Sequence, residues 1–164
     1  MATKLSAQLD FPADPAAAYE LVTDQAYVTA VAAATGGQEI AVSVEPAADG
    51  GAVVVSRREL PAELPSFARA LVGDTLRLVE TRRYGPAAGD GSRTGSVTVE
   101  FDGAPVRIDG TLALTPSPTG SVCAMEAVVK ASVPFVGGKI EAFAADQVKA
   151  FLAKETEVAL DRLG

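Results

Sequence analysis

The chain has 164 residues, no histidine, one cysteine and a net charge of −7 with a pI near 4.6. That length accommodates one ordinary domain, 1–164, with a full core, and the 48% hydrophobic content belongs to a globular chain. The acidic balance argues against nucleic acid, whose binding leans on Lys and Arg; the missing histidine and lone Cys123 exclude Cys/His zinc sites, Ser-His-Asp triads and an intramolecular disulfide.

The opening "MATKLSAQLDF" lacks the apolar core of a secretory signal, so a cytoplasmic location is expected. Within it Leu5, Ala7, Leu9 and Phe11 alternate with polar residues, which predicts a half-buried strand. "ADPAAAYELVTD" follows, with Asp14 as N-cap and Pro15 at the first helical position; Asp24 caps a second segment, "QAYVTAVAAAT", that ends at Gly36 and Gly37. Two short helices are expected there, with Tyr19 and Tyr27 anchoring them to the sheet.

From residue 37 to about 133 the pattern becomes strands punctuated by turns. "QEIAVSVE" and "AVVVSRREL" read as a hairpin around Asp49, Gly50 and Gly51. "TLRLVETRRY", "SVTVEF", "VRIDGTLALT" and "SVCAMEAVVKASV" continue the alternation with short connections, which implies an antiparallel meander. One insertion, "LPAELPSFARALVG", places Leu64, Phe67, Ala68 and Leu71 at helical spacing over one opening of the sheet. From Gly138 to Leu163 a single helical pattern carries Ile140, Phe143, Ala144, Val148, Phe151, Leu152 and Ala159 on one stripe, and about 26 residues would span roughly 39 Å. No stretch approaches the ~18 uninterrupted apolar residues of a spanning helix, so no stable membrane insertion is expected. The fold class is α+β: a helix-grip, in which a curved antiparallel β-sheet wraps a long C-terminal helix and two short helices follow the first strand. The inner positions are mostly Val, Leu and Ala, which can leave room between sheet and helix or collapse together.

The glycines of "VPFVGGKIEAF" raise the question of a phosphate loop, but the positions where that loop needs a Gly and a Ser or Thr hold Val133 and Ile140. Gly137 and Gly138 are instead expected to turn the chain from strand to helix. "GDGSRTG" lacks dinucleotide-binding spacing and lies between strands. Calcium-type carboxylate spacing is absent, and neither metal nor cofactor is expected.

Charges on inward-looking faces are more informative. The register of Leu76 and Leu78 continues to Glu80, Arg82 and Tyr84, and that of Val53 and Val55 continues to Arg57 and Glu59. An Arg and a Glu brought together at a cavity mouth would orient a polar ligand group or tune a carboxylate. Because charged side chains are rarely buried, the expected reading is a solvated rim where strands leave the core. The candidate ligand contacts are Phe67, Leu71, Leu78, Glu80, Arg82, Met125, Phe143 and Phe151, with plain core packing as the competing reading for the apolar ones; Cys123 is expected to be a buried, inert thiol.

The strand ending in an aromatic and Pro, then "ADPAAAYELVTD", resembles the opening of START-like helix-grip proteins, the superfamily of the birch-pollen allergen, polyketide cyclases and lipid-transfer domains. The closing "VPFVGGKIEAF" with one long helix is similar to an actinobacterial branch described only as a domain of unknown function. The resemblance implies an apolar ligand pocket beneath the last helix, gated by residues 60–72. It supplies no catalytic set by position. The expected function is binding or carriage of a small apolar molecule. Alternatives are an enzyme of cyclase or dehydratase type using Arg, Glu or Tyr at the pocket mouth, and a domain with a filled core that binds a protein through its surface.

Overall fold

The computed structural model describes residues 2–61, 64–73 and 75–163; the side chains of residues 61, 71 and 72 are outside that description. Strand β1 (Thr3–Phe11) is followed by helices α1 (Pro15–Val22) and α2 (Gln25–Ala34). The Asp14 carboxylate accepts from the Ala17 N–H at 2.8 Å and Asp24 from the Tyr27 N–H at 3.3 Å, so both helices start where their caps predict. Then come β2 (Gln38–Pro46), β3 (Ala52–Pro61), α3 (Ser66–Val72), β4 (Thr75–Tyr84), β5 (Arg93–Phe101), β6 (Val106–Ser117), β7 (Gly120–Ala131) and α4 (Gly137–Leu163).

The strands form one seven-stranded sheet in the order β1-β7-β6-β5-β4-β3-β2, antiparallel throughout. This is a meander from β2 to β7 with β1 added beside β7, and the long C-terminal helix lies across it: the helix-grip. Helix α4 packs on β1, β7 and α2. Its 27 residues extend about 40 Å.

The turn into α4 differs from the expectation. Gly137 and Gly138 lie inside the helix, and the left-handed residue is the fully exposed Phe135, with φ 68°. Gly137 answers a close approach rather than a turn: a Cβ there would sit 2.9 Å from the Ala131 carbonyl oxygen. One turn further on, Glu141 is fully buried and accepts from the Ala131 N–H at 3.0 Å and the Thr3 hydroxyl at 2.9 Å. That carboxylate ties the start of the helix to β1 and to the end of β7.

Candidate functional site

Against β1 and β7 the helix is close, but over β3, β4 and β5 it stands off. The space beneath it is a cavity of about 440 Å³, bounded by the sheet, α2, α3 and α4. Leu60, Leu76, Leu78, Phe101, Phe143 and Phe151 line much of it. The interior is therefore not a filled core.

One wall is polar. On the paired strands β3 and β4 the inward rungs run Val54 opposite Arg82, Ser56 opposite Glu80, Arg58 opposite Leu78, and Leu60 opposite Leu76. Directly opposed residues share a face, so the wall grades from charged to apolar toward α3. Arg82 is 8% exposed, and its two terminal nitrogens donate to both oxygens of Glu155 on α4 at 2.9 and 2.8 Å. Glu80 approaches the same guanidinium at 3.4 Å. Burial works to raise the Glu80 carboxyl, but the Arg82 and Arg58 guanidiniums outweigh it and hold the group below its ordinary range. The Tyr27 hydroxyl donates to the Glu155 carbonyl oxygen at 3.4 Å. Burial raises the phenols of Tyr27 and Tyr84 well above their usual range, so both stay protonated. Tyr84 also meets Tyr19 edge-on at 5.7 Å, and the Arg93 guanidinium lies 3.4 Å above the Tyr19 ring. Tyr19 thus anchors α1 to the sheet, whereas the hydroxyl of Tyr27 ties α2 to α4.

Arg58 is handled differently. Its side chain is 9% exposed and lines the cavity, yet its one hydrogen bond among the described residues is from Nη1 to the Ser56 hydroxyl at 2.9 Å. Its Nε is buried without a hydrogen-bond partner, as is that of Arg82. Gly37, just past α2, leaves the room: a Cβ there would lie 3.2 Å from the Arg58 Cδ and 2.6 Å from the Ala32 carbonyl oxygen.

Of the candidate contacts, Leu78, Glu80, Arg82, Met125, Phe143 and Phe151 all line the cavity. Phe67 is half-buried on α3 and is not in the lining, where its neighbours Leu64 and Ala68 take the place. The Leu71 side chain falls outside the described residues. Two expectations need correction. Arg82 is no solvated rim residue, because α4 brings a carboxylate over it. The inward face of β3 carries Ser56 and Arg58, while Arg57 points to solvent; three consecutive valines left the alternation ambiguous, and pairing with β4 decided it. Glu155 and Glu141 were missed. Their signal was present, since Glu155 shares a helical stripe with Val148, Leu152 and Ala159, and Glu141 with Ala145 and Leu152. Cys123 is 4% exposed, and burial pushes its thiol up to about 11.

The family model described as "Protein of unknown function (DUF2505)" matches residues 6–163. A search of curated proteins finds no match. Among solved structures the chain is similar to the protein TTHA0849 from Thermus thermophilus, with a TM-score of 0.65 at 16% identity over 99% of this chain and 100% of that one. It is similar to a START superfamily protein from Mycobacterium smegmatis, with a TM-score of 0.56 at 15% identity over 99% of each chain. A norcoclaurine synthase point mutant from Thalictrum flavum, in complex with a transition-state analogue, gives 0.57 at 14% identity over 100% of this chain and 98% of that one. At such identities the likeness is one of fold, and that fold is the START-like helix-grip. Among the described residues no helix is long and apolar enough to cross a membrane, and no group of three or more acidic or Cys side chains is placed to hold a metal.

Proposed function

The chain belongs to the DUF2505 family of proteins of unknown function, and from that premise we propose that it binds and carries a small, mostly apolar molecule in the cavity under α4. The observation that carries this reading is the hollow itself. A volume of about 440 Å³ is in the range of small-molecule sites. At the coefficient for engineered core cavities, keeping such a void dry costs roughly 10 kcal/mol, comparable with the whole stability of a domain. Water satisfies the charged wall but finds few partners beside Leu60, Leu76 and Phe101, so an apolar body suits that end better.

Titration with the neutral, apolar fluorophore N-phenylnaphthylamine tests the proposal. Saturable one-to-one binding is expected, and Ala144→Trp, which narrows the cavity from α4, should weaken it without lowering the melting temperature. Absence of binding to the native protein, or undiminished binding to a folded Ala144→Trp, would overturn the reading.

A second reading, an enzyme of cyclase or dehydratase type, draws on the gathering of Tyr27, Glu80 and Arg82 along one wall. Two features speak against it. Arg82 is already engaged by Glu155, and Glu80 is held ionised, which suits neither polarisation of a ligand carbonyl nor general-acid work.

A further inference from the structure

Every guanidinium carries five N–H donors and a charge it cannot lose. In the cavity wall Arg82 gives both terminal nitrogens to Glu155 and has Glu80 alongside, and only its Nε, like that of Arg58, lacks a hydrogen-bond partner. Arg58 is equally buried. Among the described residues no carboxylate lies within ion-pairing distance of it, and its single acceptor is the neutral hydroxyl of Ser56. Burying a charge so thinly partnered is unfavourable unless something else completes the set. The Ser56 hydroxyl accepts from Arg58, and its own hydrogen has no acceptor among the described residues.

We infer that Arg58 and Ser56 form an anion-docking subsite in the cavity wall, and that the ligand is an amphiphile with a carboxylate head and an apolar body. The planar fork of Arg58 matches the two oxygens of a carboxylate. The rungs fix the orientation: Phe101 stands beside Leu78, opposite Arg58, and Leu60 with Leu76 forms the next rung toward α3. A head on Arg58 therefore lays its body along apolar side chains and away from Glu155. Glu80 repels the head at longer range but is turned to Arg82, so contact with Arg58 prevails and the gain is moderated.

This inference rests on the cavity-binding reading, and a matched pair of probes separates the two. Calorimetry with octanoate and octanol compares an anionic and a neutral head on similar chains. Charge-assisted hydrogen bonds imply that the native protein binds octanoate roughly ten- to a hundredfold more tightly. In Arg58→Leu the preference for octanoate should vanish or reverse, because Glu80 remains in the wall and repels the head. Equal affinities in the native protein overturn the subsite and leave the cavity reading standing. Binding of neither overturns both. Should Arg58→Leu not fold, Arg58→Lys keeps the charge without the fork and should lose part of the preference. A full preference persisting in either folded variant overturns the assignment.

Discussion

Arg82 and Arg58 stand on neighbouring strands on either side of the rung formed by Ser56 and Glu80, both nearly removed from solvent, and they meet opposite fates. The region around Arg82 is closed, with α4 bringing Glu155 onto its fork and α2 adding the Tyr27 hydroxyl. The region around Arg58 is open, facing the hollow with most of its donors unclaimed. The difference teaches that a buried charge here is structural where a helix covers it and available where the helix stands off.

The contrast breaks most sharply through Glu155→Ala. It leaves Arg82 buried without its main partner and should lower the unfolding free energy by about 3–5 kcal/mol in urea titrations. Replacing the pair together, Arg82→Met with Glu155→Leu, should recover most of that loss; a double variant as unstable as the single one would mean the pair is more than a mutual neutraliser. Arg58→Leu should cost clearly less than Glu155→Ala, because the lost bond to Ser56 and the lost attraction to Glu80 are partly offset by relief of a thinly partnered charge. If it destabilises as strongly as Glu155→Ala, the distinction between the two regions fails.

Acid gives a smaller effect. The Glu80 and Glu141 carboxyls are depressed in the folded state, Glu80 by the two guanidiniums against the effect of burial, and Glu141 by the Ala131 N–H and the Thr3 hydroxyl. Groups depressed in this way stabilise the fold fully above their unfolded value of 4.5, and that contribution is lost as pH falls through the folded value. The melting temperature should therefore drop as pH is lowered below about 4.5, and Glu80→Gln should flatten the drop. A slope unchanged by Glu80→Gln would remove Glu80 from the linkage. The smallest expected signal is that of Cys123, whose protonated, buried thiol should react with a maleimide at neutral pH only as fast as the protein unfolds.

Much of the frame was legible along the chain. Asp14 with Pro15, Asp24, the alternation of β1 and the stripe of α4 are signals within a few residues of one another, and each element begins close to where its signal stands. The site was legible only in part. Leu78, Glu80 and Arg82 were found because their strand alternates cleanly, whereas Arg58 was hidden by Val53, Val54 and Val55, a run compatible with either face. Glu155 was passed over because an acidic residue among the other charged residues of a long helix reads as solvated.

The sequence by itself determined the order of elements, the helix-grip and the chemistry the chain lacks, because caps, periodicity and composition are local quantities. Only the tertiary structure decided that Ser56 and Arg58 face inward, that Glu155 closes on Arg82 from 73 residues away, and that the grip stays hollow. Strand register and the stand-off of a helix from a curved sheet arise from contacts between distant segments, and no local pattern carries them.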